Sequence, residues 1–395
     1  MKNFAKWTAL ALLVAAVLVM ARAPLFWTRY ATLAWDGSHR PSLYYPRERV
    51  PGGNQPPAPR ESPQSEQLDP GSLEAAARYA QTHASQAFIV TRHGYLVFER
   101  YWHGTNIDSP VESPALGRIV AALLAGRAIA DRKIGWPDEP VARFLPPLRD
   151  DPRGAITVRN LLQLSSGLAP AAGGFGPRSA AMRERFGTDL LGGSLRQPLA
   201  AAPGTKWLDQ SADPNLLEAV IENATGERYS QYLSRTIWQP IGAGDAWLWL
   251  DRTGGLPHAD RGFFVRQGDW MRIAELLLQN GRYQGAEILP PRWVPQLLLP
   301  ARSNGNYGSY LRLGRHATPG MSAYMAPDLF VVEDERNRLW LIPSLQIAIL
   351  RIGTSGARGD WDDGRIPNLV IGGVRDFLPP AARPGADLNS IVPHH

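Results

Sequence analysis

Cysteine is absent from the 395 residues, which excludes disulfides and thiolate metal sites and fits any redox compartment. Lysine is nearly absent too: Lys2, Lys6, Lys133 and Lys206 are the whole complement, and the rest of the 42 basic residues are arginines. Those arginines are scattered, with no basic run interleaved with aromatics, so the net charge of +6 gives no nucleic-acid signature. No G-x-S-x-G, P-loop or dinucleotide fingerprint occurs. His83, His93, His103, His258 and His316 stand alone, without i, i+4 pairs, and His394-His395 is a tail pair. No metal and no cofactor is therefore expected.

What is present is enough apolar residue for one large core or two modest ones. Lys2 and Lys6 precede an apolar run from Trp7 to Ala21, with Trp7 and Trp27 bracketing the segment as interfacial aromatics would. Residues 1–28 are expected to be an uncleaved membrane anchor. The alternative is a cleaved signal ending at Ala21-Arg22-Ala23, against which Pro24 stands just past the cut. On either reading the domain is expected in the periplasm, held at the inner membrane or secreted. Residues 29–71, centred on Gln55-Pro56-Pro57-Ala58-Pro59, read as a Pro-rich tether. The folded domain is expected over 72–380, with a helical subdomain at about 132–300 and a flexible tail at 381–395.

The domain is organised around Ser113 to Ile129, where Leu116, Ile119, Val120, Leu123 and Leu124 recur at helical steps. Ser113 followed by Pro114 predicts an N-cap and a first-turn proline. Before this helix, Ala87 to Val90 and Tyr95 to Tyr101 form a hairpin through Arg92-His93-Gly94. After it come helices at Asn215 to Gly226, Ser230 to Trp238 and Asp269 to Asn280, with little strand signal until about residue 307. Strands return at Phe330 to Val332, Arg338 to Ile342 and Gln346 to Ile352, and a closing helix at Asn368 to Leu378. This order predicts an α+β fold: an antiparallel sheet built from both ends of the domain, flanked by helices, with a mostly helical insertion.

Several stretches carry a resemblance in consistent order. They are VTRHGYLVFERYWHG (90–104), ITVRNLLQLSSGL (156–168), PGTKW (203–207), PNLLEAVIENATGERYSQYLSRTIWQPIG (214–242), HADRGFFVRQGDWMRIAELLLQNGRYQGAEILPPRWV (258–294) and IPSLQIAILRIG (342–353). Together they resemble the serine β-lactamase-like superfamily: class C β-lactamases, penicillin-binding D-Ala-D-Ala peptidases, esterases and 6-aminohexanoate-dimer hydrolases. The resemblance implies three catalytic motifs: Ser-x-x-Lys at the start of the central helix, Tyr-x-Asn or Tyr-x-Ser on a loop, and Lys-Thr-Gly or His-x-Gly on a strand.

All three are replaced here. Ala115 and Arg118 fall at the serine and lysine positions, and neither domain lysine completes a Ser-x-x-Lys, since positions 130 and 203 are Ala130 and Pro203. Asp209, with Gln210 and Ser211, falls at the tyrosine motif, and Glu333-Asp334-Glu335 falls on the strand of the third. Alanine has no nucleophile, arginine stays protonated and cannot act as a general base, and carboxylates oppose a developing oxyanion. The sequence therefore points to a catalytically inactive binding or scaffolding protein of the cell envelope, taking a cell-wall fragment or a small amide or ester ligand. Arg118, Asp209 and Glu333 are expected to form an ion-pair cluster in the former pocket. The alternative is a serine hydrolase working through Ser113 or through Asp209 with Glu333 or Glu335.

Overall fold

The computed structural model describes residues 20–33, 41–315, 320–354 and 360–376, with the single positions 7 and 14. Helix α1 (Pro24–Leu33) is followed by strand β1 (Arg47–Val50), helix α2 (Pro70–Thr82) and the hairpin of β2 (Ser85–Arg92) with β3 (Tyr95–Tyr101). Strand β4 (Pro110–Glu112) leads into the central helix α3 (Pro114–Ala130). The insertion supplies α4 (Val158–Leu162), α5 (Ala180–Phe186), α6 (Leu190–Leu195), α7 (Ala212–Thr225) and α8 (Tyr229–Leu233). Next come β5 (Ala246–Trp249), β6 (Phe263–Arg266), α9 (Gln267–Leu278), the small ribbon β7 (Arg282–Tyr283) and β8 (Ala286–Glu287), and α10 (Trp293–Leu297). The chain closes with β9 (Arg312–Leu313), β10 (Phe330–Glu333), β11 (Arg338–Ile342), β12 (Ile347–Gly353) and α11 (Arg365–Gly372).

The main sheet has six antiparallel strands in the order β3-β2-β12-β11-β10-β9, so the N-terminal hairpin is zipped to the last strand, as expected. Its central strands carry near-continuous apolar runs, Ala87 to Val90, Leu339 to Ile342 and Ile347 to Leu350, because both faces are covered. Alternation along each strand sends Val90, Ile349 and Trp340 to the layer beneath α2 and α11, and Ile89, Leu350 and Leu339 to the layer against α3. Helix α3 is apolar around nearly its whole circumference, which is why it lies buried between the sheet and α7 rather than on the surface. Ser113 caps it, with φ −141° and its hydroxyl accepting the Leu116 N–H at 3.4 Å. Gly126 lets α10 approach: a Cβ there would sit 2.2 Å from the Trp293 indole nitrogen, which donates to the Ala122 carbonyl at 3.0 Å.

A second, four-stranded sheet in the order β1-β5-β6-β4 was not legible in the sequence. Its strands are three or four residues long, too short for a period-two pattern to stand out. The expected tether corrects here as well. Arg47 to Val50 pair with Trp249 to Ala246, the Asn54 and Gln55 amides donate to the Ala243 and Gly242 carbonyls at 3.0 Å, and the Leu96 amide donates to the Pro59 carbonyl at 2.8 Å. A Pro-rich segment has little internal hydrogen bonding to offer, but neighbouring backbone supplies its partners.

The expected inner-membrane location is overturned. No helix among the described residues is long and apolar enough to cross a membrane. Residues 1–28, on which that expectation rested, fall largely outside the described residues; the part that is described enters α1, which buries Phe26, Arg29 and Leu33 against the domain. His316, the 381–395 tail and its histidine pair lie outside the described residues, and the closing helix ends at Gly372 rather than Leu378.

Candidate functional site

Where the first turn of α3, the loop before α7 and the β10–β11 turn converge, the molecule holds a cavity of about 380 Å³. Ala115 and Arg118 line it from α3, Asp209 from the loop, and Glu333, Asp334 and Glu335 from the far side. The three motif positions are thus brought together, as the resemblance implies. The insertion adds Arg185 and Phe186, the second sheet adds Glu112 and Trp249, the β5–β6 connection adds Asp260 and Arg261, and the N-terminal segment adds Leu33 and Tyr44. None of these added residues was singled out from sequence. They lie on separate elements with no shared motif, so only the fold collects them.

The expected three-residue ion-pair cluster forms in part. Arg118 Nη1 donates to Asp209 Oδ1 at 2.6 Å. Glu333 is not part of that pair; Arg312 Nε and Nη2 hold its two oxygens at 2.5 and 2.9 Å, with Arg338 at 3.3 Å and Asp363 closing the same cluster. Asp334 and Glu335 do not lie on a strand: β10 ends at Glu333, and Asp334 organises the turn. Its Oδ1 accepts the Arg336 and Asn337 amides at 2.8 and 2.9 Å, a side-chain alternative to continuing the ladder. Its Oδ2 accepts the Ser113 hydroxyl at 2.6 Å and Asn337 Nδ2 at 3.1 Å. Ser211 accepts from Arg261 Nη2 at 2.8 Å.

Two further ion pairs line the cavity. Arg336 meets Glu112 at 3.0 Å, and Arg261 meets Asp260 at 2.6 Å. Burial alone would raise the Asp260 carboxyl; Arg261, and more weakly Arg118, overcome it and hold it below the usual range. Behind the cavity His258 is fully buried and stacked on Trp249 at 4.1 Å between ring centroids, and burial pulls its pKa down to about 3, so it is neutral.

The Arg118–Asp209 pair contributes little to stability. Asp209 has 55% of its side chain exposed, where ion pairs contribute about 0–1 kcal/mol. Asp209→Asn is expected to change unfolding free energy by less than about 1 kcal/mol in a urea titration, and a larger loss would mark the pair as structural.

Comparison with known proteins places this geometry. The family profile described as Beta-lactamase matches residues 72–286, more than half of the chain. The chain belongs to the β-lactamase family. Over 245 residues it is 28% identical to the esterase EstB of Burkholderia gladioli, covering 56% of this chain and 61% of that protein. Over 225 residues it is 24% identical to the 6-aminohexanoate-dimer hydrolase of Paenarthrobacter ureafaciens, covering 54% and 57%. The chain thus spans less than two thirds of these relatives. Among solved structures it is similar to a Bacillus anthracis protein provisionally named a 6-aminohexanoate-dimer hydrolase, with a TM-score of 0.67, 17% identity, and coverage of 85% of this chain and 91% of that one. This member of the serine β-lactamase-like superfamily therefore has the mixed fold of its structural neighbours, and its family is one of serine hydrolases.

Proposed function

We propose that this chain is a ligand-binding member of the family whose cleft takes a small amide or ester compound, or a cell-wall fragment, without acyl transfer. One observation carries the reading: the first turn of α3 presents Ala115 and Arg118 to the cavity, and Arg118 is held by Asp209. No hydroxyl stands at position 115, and a guanidinium cannot take up a proton at neutral pH.

A second reading is hydrolysis through Ser113, and the comparisons favour it, since both curated relatives named above are an esterase and a hydrolase. Its geometric support is the 2.6 Å Ser113–Asp334 hydrogen bond beside the cavity. Against it, Ser113 is 1% exposed and already caps α3, and three other N–H donors occupy Asp334. A carboxylate mechanism fares no better, because Asp209 and Glu333 are both engaged by arginines.

A fluorophosphonate probe separates the readings. The expected result is no stoichiometric adduct on the intact protein by mass spectrometry. An adduct that disappears in Ser113→Ala would replace the binding reading with the hydrolytic one.

A further inference from the structure

We infer that Tyr44, seated by the N-terminal segment, is the wall that limits the size of the cleft's ligand, so that the site takes a compact amide or ester compound and excludes a length of cell-wall polymer. This rests on reading the cavity as a ligand site. At about 380 Å³ the cavity stands near the small end of ligand pockets, which run from about 300 to 1,000 Å³. Leu33 and Tyr44 line it, and with Phe186 and Trp249 they supply most of its apolar lining. Both precede residues 72–286, the stretch that matches the family profile, so the family resemblance does not account for this wall.

Tyr44 is held as a fixed boundary. Its buried ring meets Phe264 and Trp249 edge-on, at 4.9 and 5.1 Å between centroids, an arrangement that aromatic quadrupoles favour. Trp249 is itself fixed, with His258 stacked on it at 4.1 Å and the Arg29 guanidinium 4.8 Å over its ring. The backbone after Tyr44 is pinned as well. Arg29 and Trp249 Nε1 donate to the Tyr45 carbonyl at 3.0 to 3.4 Å, the Leu250 amide donates to the Pro46 carbonyl at 2.8 Å, and β1 then pairs with β5. The phenol end reaches the charges of the cavity: burial and then Glu112 raise it above its ordinary value, against Arg185, Arg261 and Arg336. Close-packed surroundings relax only partly when a ring is removed, so truncating Tyr44 opens volume into the cleft.

The chain has no cysteine, so Ala115→Cys places a single thiol on the cavity lining, at a helix N-terminus that favours the thiolate. The test is its labelling rate on the full chain, by mass spectrometry, with methyl methanethiosulfonate and with a methanethiosulfonate carrying a neutral disaccharide. Each rate is divided by that of the same reagent with glutathione. The disaccharide reagent is expected to be at least about tenfold slower than the methyl reagent on this scale, because access governs attack at an enclosed thiol. Adding Tyr44→Ala should raise the disaccharide rate at least about tenfold and the methyl rate less than about threefold. Tyr44→Phe keeps the ring and should leave both rates unchanged, as should Ser42→Ala, exposed on the same segment. Equal rates for the two reagents, a size preference that survives Tyr44→Ala, or equal rises for both reagents, the mark of a segment coming loose, would overturn the assignment. If Ala115→Cys does not fold, Arg118→Cys, one turn along α3 on the same cavity, carries the same comparison. No ligand enters the measurement. Failure of every compound to bind would therefore sink the binding reading and leave the Tyr44 wall in place, whereas loss of the size preference would sink the wall alone.

Discussion

Arg29→Ala is expected to lower the unfolding free energy by about 3–5 kcal/mol and to release the N-terminal segment from the cleft wall. The Arg29 side chain is 1% exposed, and its guanidinium donates to the carbonyls of Tyr45, Phe186, Gly187, Leu250 and Asp251 at 2.6 to 3.3 Å. It also lies 4.8 Å over the Trp249 ring. Burial pulls its pKa down to about 10, partly offset by Asp251, so it is still charged at neutral pH. Truncation removes one donor group from five carbonyls at once, and each buried acceptor left unsatisfied costs about 1–3 kcal/mol before water enters. Because Tyr45 just before β1, the end of α5 and the residues after β5 share this one fork, hydrogen exchange should accelerate in β1 and around Phe186 while the six-stranded sheet keeps its protection. Unchanged exchange in β1 would show that Phe26, Leu33 and Tyr44 hold the segment without Arg29.

Asp213→Asn should remove a pH dependence of stability worth about 3 kcal/mol between pH 4 and pH 7. Asp213 is fully buried in the first turn of α7, where it accepts the Ser166 hydroxyl at 2.5 Å and the Ser166 amide at 3.3 Å and so pins the Ser-Gly-Leu turn. Burial raises its carboxyl from 3.8 to about 7; hydrogen bonds from Ser166 and Gln210 and the charge of Arg118 only partly oppose this. The sign follows from which state releases the proton first. As pH rises past 3.8 the unfolded chain ionises at this position while the folded chain keeps its proton until about 7, so the contribution of Asp213 to stability is fully present below pH 4 and is lost on the way to pH 7. Asparagine has no proton to lose. Urea titrations at pH 4, 5.5 and 7 should show the variant gaining on wild type with each step, and parallel profiles would sink the argument.

The hairpin, the buried central helix, the returning C-terminal strands and their assembly into one antiparallel sheet were all legible in sequence. Most rest on an apolar run whose spacing one element generates by itself, such as Tyr95 to Tyr101, Ser113 to Ile129 and Gln346 to Ile352. Short β1, β4, β5 and β6 have no such run. Arg47 to Val50 are a strand only because the edge at Ala246 to Trp249 accepts them. The site divides in the same way. Ala115, Arg118 and Asp209 were placed by counting residues within motifs, and their convergence follows from the fold. Glu333 was assigned to the wrong partner because sequence gives no sign that Arg312, two strand positions away in space, would claim both its oxygens.

The first turn of α3 therefore had its chemistry set by sequence alone: no hydroxyl at 115 and a permanent cation at 118. Tertiary structure decided what surrounds it. Ion pairing depends on which side chains the packed elements bring within about 4 Å, a quantity that local spacing does not encode. Packing thus joined Arg118 to Asp209, sent Glu333 to Arg312, and folded the N-terminal segment over the cleft through Arg29.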